Sequence, residues 1–442
     1  MRASGAVVST RNQMSAGSPW MGWRRFASRW LRFLGIRLAG GLFLGAGGFR
    51  GIDHSGHLVG GQGSSLDGAA LQIDPAEVEL DDLVDREYLI DMRGLVVHTW
   101  EVTHSNVAEL LPNGNLFTHN CGFWLEEKTP DSKTIWRWEG NNDLIAPNHH
   151  DFWFGDEIIV SLAAKREPVL RGVYQPGAEP DSMRTDVILK INRDKEILWQ
   201  FSFSEHVEEL CTLAGYPMPI PYMRKTSKGS FEPYGPSDWA HANTIEVLPE
   251  TPLGHKDDRF KAGNLLFSLR HLDIIRTVDP IKNEIVWCYG PGILDGQHQP
   301  TMLENGNILV FDNGTYRGYS IVREIEPASG TIVWQYENGE DFFSPFRSGN
   351  QRLPNGNTLI CECDAGHLFE VTPEKDIVWD FWSPFVGQGP HHLGKRIHRA
   401  TRYAPEDVEP LLESRKDRIV AEVDRDGRRI TTYPELIQFY QS

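Results

Sequence analysis

The sequence predicts an all-β fold, a six-bladed β-propeller closed by pairing of its N- and C-terminal strands. A β-branched run ending in Trp recurs six times, and a Leu-x-Asn-Gly-Asn turn recurs three times. The 442 residues include 42 Gly, 27 Pro and 14 Trp, a mixture suited to short aromatic-rich strands joined by tight turns. Hydrophobic residues at 40% and charged residues at 24% supply a sizeable core and fit an ordered globular chain. The 44 Lys+Arg against 61 Asp+Glu leave a formal charge of −17, which argues against gripping nucleic-acid phosphates. No nucleic-acid partner is therefore expected. Five Cys without zinc-type spacing indicate neither a disulfide scaffold nor a structural zinc module.

Residues 1–50 read as a basic and apolar leader. Arg24, Arg25, Arg29, Arg32 and Arg37 precede the apolar run from Leu38 to Ala46, the order of a secretory signal. Taken on to Phe49, the apolar stretch is about a dozen residues, short of the roughly 20 that span a bilayer. The leader is expected to direct export, towards a periplasmic or other extracytoplasmic site, or to associate with a membrane surface; a cytoplasmic chain is the alternative. A Gly/Ser-rich linker is expected over 51–79, the propeller over 80–405 and a C-terminal extension over 406–442.

The Trp runs are Val96–Trp100, Thr134–Trp136, Glu196–Trp199, Glu284–Trp287, Thr331–Trp334 and Asp376–Trp379. Two of the spacings between successive Trp residues match the forty to fifty residues of a four-stranded blade, and the longer gaps hold insertions such as Pro217–Pro236. The turns Leu111–Asn115, Leu303–Asn307 and Leu353–Asn357 read as hairpins, because Asn-Gly tolerates positive φ. Closure is expected from a split blade: Tyr88–Ile90 and Leu95–Trp100 supply outer strands, and Ile397–Tyr403 an inner one.

The first strand of each propeller blade lines the central channel, so residues at equivalent positions there converge from distant parts of the chain. His104, His149, His150, His241 and His298 stand at such positions, with Asn350 in their place further on. His391, His392 and His398 lie by the closing strand, and His367 sits in a turn region. A lone His in a sheet is more often a hydrogen-bonded core residue; recurrence points instead to a metal site or to a nucleophile and acid/base set. Arg270, beside His271, and Arg317, after Asn313, offer planar forks suited to sulfate, phosphate or carboxylate. Cys361 and Cys363, two apart on a strand, are expected to pack within their blade.

The ordered motifs Asp238–Asn243, Leu265–His271, Gln297–Pro300 and Phe311–Gly314 resemble the propeller-type arylsulfate sulfotransferase family over about residues 80–405. The resemblance implies a six-bladed propeller that moves a sulfuryl group from an aryl sulfate to a phenol through a sulfohistidine, without a cofactor. It implies that His241 and His298 are catalytic channel histidines and that Arg317 binds sulfuryl oxygens. His391 and His392 are the expected nucleophile candidates among the late histidines. His104, His149, His150, Arg270, His271, Asn313 and Asn350 are expected to bind the small aromatic substrate. Two alternatives accompany this reading: a lyase or hydrolase that uses a divalent metal on the channel histidines, and a non-enzymatic binding module.

Overall fold

The computed structural model describes residues 5–10, 85–94, 96–103, 105–120, 122–141, 144–146, 148–155, 157–168, 182–215, 223–225, 231–233, 239–384 and 396–413. The chain divides into two units, 14–82 and the remainder, and the account below concerns the second. It is an all-β propeller of antiparallel sheets. The closing sheet orders Ile397–Tyr403, Gly5–Thr10, Asp85–Ile90 and Val96–Val102. The second runs Ala108–Leu110, Leu116–Asn120, Trp124–Lys128, Thr134–Trp138. The fourth runs Ala242–Val247, Leu265–Leu269, Ile274–Asp279, Glu284–Tyr289. The fifth is His298–Met302, Ile308–Asp312, Ile321–Glu326, Thr331–Glu337. The sixth is Gly349–Arg352, Thr358–Glu362, His367–Val371, Ile377–Trp382. Each of these has four strands. The third departs from the pattern with five: Ile197–Ser202, Met183–Asn192 and Ile158–Glu167 in order, with both Leu144–Ala146 and Phe152–Phe154 along the inner edge.

Closure differs from the expected pairing in one respect. The C-terminal strand does not meet Asp85–Ile90 directly, because Gly5–Thr10 lies between them and pairs with both. Six residues assigned from sequence to the leader therefore belong to the propeller. The basic and apolar run of the leader, and the linker, lie outside the described residues. At the other end, the helix Pro405–Glu413 buries Val408 and Leu411 against the closing sheet, so the folded part continues past 405.

All six repeated Trp residues occupy the outermost strand of their sheets, and the structure supplies the reason for their recurrence. In four of them the indole Nε1–H donates to a backbone carbonyl of the next sheet: Trp136 to Arg193, Trp287 to Pro327, Trp334 to Pro373 and Trp379 to Met92. Three of these four are joined by an Arg of the next sheet that stacks on the indole. Arg193, Arg352 and Arg402 lie over Trp136, Trp334 and Trp379 at 4.8, 5.3 and 4.9 Å. Each guanidinium then reaches a carboxylate on the third strand of the Trp's own sheet: Glu127, Glu324 or Glu370.

The same carboxylate accepts from both Asn side chains of the hairpin turn. Asn113 and Asn115 bond Glu127, Asn305 and Asn307 bond Glu324, and Asn355 and Asn357 bond Glu370. The turn differs from an Asn-Gly pair with positive φ at both residues. Only its Gly is left-handed, with φ of 83°, 88° and 87° at Gly114, Gly306 and Gly356. The Gly N–H closes onto the Leu carbonyl three residues back, as in a three-residue loop with a bulge glycine. Turn, carboxylate, Arg and Trp thus make one unit that locks each such sheet to the next. An indole hydrogen bond contributes about 1 kcal/mol and an exposed cation–π contact about 0.5–1 kcal/mol.

Candidate functional site

The inner strands bring histidines from distant parts of the chain to the channel. His149 and His150 precede Phe152–Phe154, His241 precedes Ala242–Val247, and His298 opens its own strand. His398 lies on the C-terminal strand. The rings of His149 and His150 lie 3.9 Å apart, His150 and His241 4.6 Å, and His241 and His271 4.6 Å. Non-glycine residues with left-handed backbone recur where these strands begin: His150 at φ 76°, His241 at 52°, Gln299 at 44° and Ser348 at 77°. Such conformations are costly and persist where surrounding contacts enforce them, as they commonly do at functional sites.

Two buried aspartates organise the cluster. Asp186, on the second-outermost strand of the third sheet, contacts His149 Nδ1 through Oδ1 at 2.9 Å. Its Oδ2 accepts the Ala242 N–H at 2.7 Å, so one carboxylate fixes the His149 ring and the backbone next to His241. Asp151 forms a two-pronged pair with Arg399 at 2.8 and 3.2 Å and also accepts the Ile245 N–H. This pair joins the third, fourth and closing sheets across the channel. Burial pushes the Asp151 carboxyl up, and Arg399 opposes that shift.

His298 is held in one tautomer. The Asn313 side-chain nitrogen donates to the carbonyls of Ser344 and Arg347, which turns its Oδ1 towards His298 Nδ1 at 2.8 Å. His298 therefore carries its proton on Nδ1, and its Nε2 accepts the Arg347 N–H at 3.2 Å. Arg270 stacks on Phe346 at 4.8 Å and donates towards Thr315 and the Pro345 carbonyl. Gln299 Oε1 accepts the Asn350 N–H, and a Cβ at Gly349 would sit 1.9 Å from that same oxygen. Glycine is required there for the side chain to pass.

Burial is the main reason that His150, His298 and His398 are held well below the ordinary imidazole value. Neighbouring basic groups add to it: His149 and His241 around His150, Arg270 around His298, and Arg347 and Arg399 around His398. His150, His298 and His398 are therefore held neutral among guanidinium groups. His398 Nδ1 is buried without a hydrogen-bond partner among the described residues.

The expected residues separate into three sets. His149, His150, His241 and His271 come together, and Arg270, His298, Asn313 and Asn350 form an adjoining network. Arg317 is placed differently from expectation. Its Nε donates to the Tyr319 carbonyl, Nη1 to Asp312 Oδ2 and Nη2 to the Asp312 carbonyl. The fork is turned onto its own turn and strand, as a brace for the buried Asp312, which also holds Arg323. His104, His391 and His392 lie outside the described residues. His367 contacts Glu362 and stacks on Trp382 at 4.0 Å, in the outer part of its sheet.

Sequence reasoning missed Asp151, Asp186, Arg347 and Arg399 as parts of the site. Two had a local signal: Asp151 ends the Asn-His-His-Asp run, and Arg399 follows His398 in the closing strand. His119 was also missed; its Nε2 accepts the N–H groups of Asn106 and Val107, and its Nδ1 contacts Asn148, which makes it a support for the inner loops.

Residues 108–384 match the family model described as arylsulfotransferase (ASST), more than half of the chain. No curated protein matches the sequence. Among solved structures, a protein of unknown function from Bacteroides caccae aligns with TM-score 0.40 and 14% identity over 72% of this chain and 94% of that one. A streptogramin B lyase aligns with TM-score 0.39 and 9% identity over 72% and 90%. A catalytically inactive virginiamycin B lyase from Staphylococcus aureus, solved with quinupristin, aligns with TM-score 0.33 and 12% identity over 63% and 69%. The family match spans the second to sixth sheets and takes in His149, His150, His241, Arg270 and His298, so the chain belongs to the arylsulfotransferase family.

Proposed function

We propose that the protein transfers a sulfuryl group from an aryl sulfate to a phenolic acceptor through a histidine of the propeller channel. The observation that carries this reading is the gathering of buried, neutral imidazoles and guanidinium groups within a chain of this family. In this reading the five-stranded third sheet counts as a blade beside the five four-stranded ones.

His398 is the nucleophile in this proposal. A neutral imidazole with an unpartnered nitrogen has the lone pair that attack on sulfur requires. The S–O bond to the phenol breaks as the N–S bond forms. Arg347 and Arg399, whose charges act on His398, stabilise the sulfuryl oxygens. His241 gives a proton to the departing phenoxide and takes one from the incoming phenol in the second half-reaction. With both ring nitrogens engaged, His298 positions the Arg347 loop.

Incubation with an aryl sulfate and no acceptor is expected to leave a covalent sulfuryl adduct on one histidine. Intact-mass spectra without an adduct, together with no phenol release, would overturn the mechanism. An adduct mapped to His391 or His392 would move the nucleophile but keep the reaction.

A further inference from the structure

We propose that His149, His150 and His241 form a binding site for one divalent transition-metal ion, with Asp186 as its outer carboxylate. One ligand nitrogen from each residue lies within 4.8 Å of the others. Tetrahedral metal–nitrogen bonds of about 2.0–2.1 Å place ligand nitrogens roughly 3.4 Å apart, so side-chain rotations that move the nitrogens by about an ångström close the set.

Three further observations point the same way. His150 Nε2 is buried and has no hydrogen-bond partner among the described residues, which is costly for a polar atom unless something binds it. Asp186 holds His149 Nδ1, and the tautomer this selects carries its lone pair on Nε2. A carboxylate on the far nitrogen of a ligating His is the usual outer support of a metal site. The same carboxylate fixes the backbone beside His241, and His150 and His241 both spend left-handed backbone on their placement.

Three imidazole ligands select zinc, cobalt, nickel or copper over magnesium and calcium, which prefer oxygen ligands. A fourth position remains for water or an oxygen of an anionic ligand. The site does not depend on the sulfotransfer reading, although an ion there would compete for the His241 imidazole assigned to it.

The test uses full-length protein stripped with a chelator, then dialysed against Zn2+ or Co2+ without substrate. Uptake of about one ion per chain is expected, with Co2+ giving the intense visible absorption of a low-coordinate site. His150→Ala is expected to abolish uptake, and Asp186→Asn to weaken it about 10–100-fold. His255→Ala, at an exposed position, should leave it unchanged. Thermal unfolding provides a second readout: Zn2+ raises the wild-type midpoint and not that of His150→Ala. Should His150→Ala not fold, His241→Gln takes its place in both measurements. Equal uptake by wild type and the folded variant, or no uptake by wild type at submillimolar Zn2+, would overturn the site. Sulfuryl adduct formation, assayed separately on stripped protein, tests the other reading.

Discussion

The perimeter and the channel of the propeller are built on opposite principles. Around the perimeter, the Asn–Glu–Arg–Trp unit repeats with nearly the same contacts at Glu127, Glu324 and Glu370. In the channel each contact occurs once: Asp151 with Arg399, Asp186 with His149, Asn313 with His298. Among the described residues, buried nitrogens there are left without partners at His150 and His398. The perimeter repeats one set of contacts and stabilises. The channel holds neutral bases in reserve, which a ligand or a reaction can use.

Electrostatics follow the same division. Burial pushes the Glu324 and Glu370 carboxyls up, but the Asn amides and the Arg guanidinium outweigh it and hold both below the ordinary carboxylate value. Further along the channel, burial dominates: Glu109 is pushed up to about 7 and Glu246 to about 8. The perimeter thus keeps its charges and the channel suppresses them.

The sharpest way to separate the two regions is to remove one residue from each. His398→Ala is expected to abolish the sulfuryl adduct and lower turnover at least a thousandfold, about 4 kcal/mol in barrier, with little change in the thermal midpoint. Glu370→Ala should do the reverse. It strands Arg402 and two Asn amides in a buried setting, so a stability loss of about 3 kcal/mol is expected in urea denaturation, with turnover of the folded fraction retained.

Arg317 tests the boundary between them. Arg317→Lys loses the fork that holds Asp312, so stability should fall by about 1–3 kcal/mol while turnover stays within about twofold. A hundredfold loss of turnover at unchanged stability would return Arg317 to the site.

The smallest expected change is a flat pH response. Because the folded value of His398 lies well below 6.5, adduct formation should show no break as pH falls through 6.5. Stability from Glu324 and Glu370 has a different window. Their folded values are lowered, so their contribution is fully present above about pH 4.5 and is lost as pH falls through the folded values. A fall in adduct formation centred near pH 6.5 would show that the reacting imidazole is not held neutral.

The sixth sheet shows how far the residues themselves carried the fold. Its β-patterned runs Gln351–Leu353, Thr358–Cys361, Leu368–Val371 and Ile377–Phe381 each lie within one or two residues of the observed strand bounds. Period-two patterning and Asn-Gly turns are local signals, so a sequence states them directly. Gly5–Thr10 lacked such support: it has no Trp and no repeated turn, and only its pairing with two strands distant in sequence defines it.

The histidines divide in the same manner. Recurrence at strand starts brought out His149, His150, His241 and His298, because a repeat architecture converts equal positions in the chain into nearness in space. The partners of those histidines do not repeat. Asp186 reaches His149 from 37 residues away, and Arg399 reaches Asp151 from 248. Sequence by itself determined the propeller, its turns and most of the histidines that face inward. Tertiary structure alone decided which of those imidazoles meet, which nitrogens keep their lone pairs, and that Arg317 braces a strand; such properties depend on burial and on contacts between residues that neither spacing nor periodicity relates.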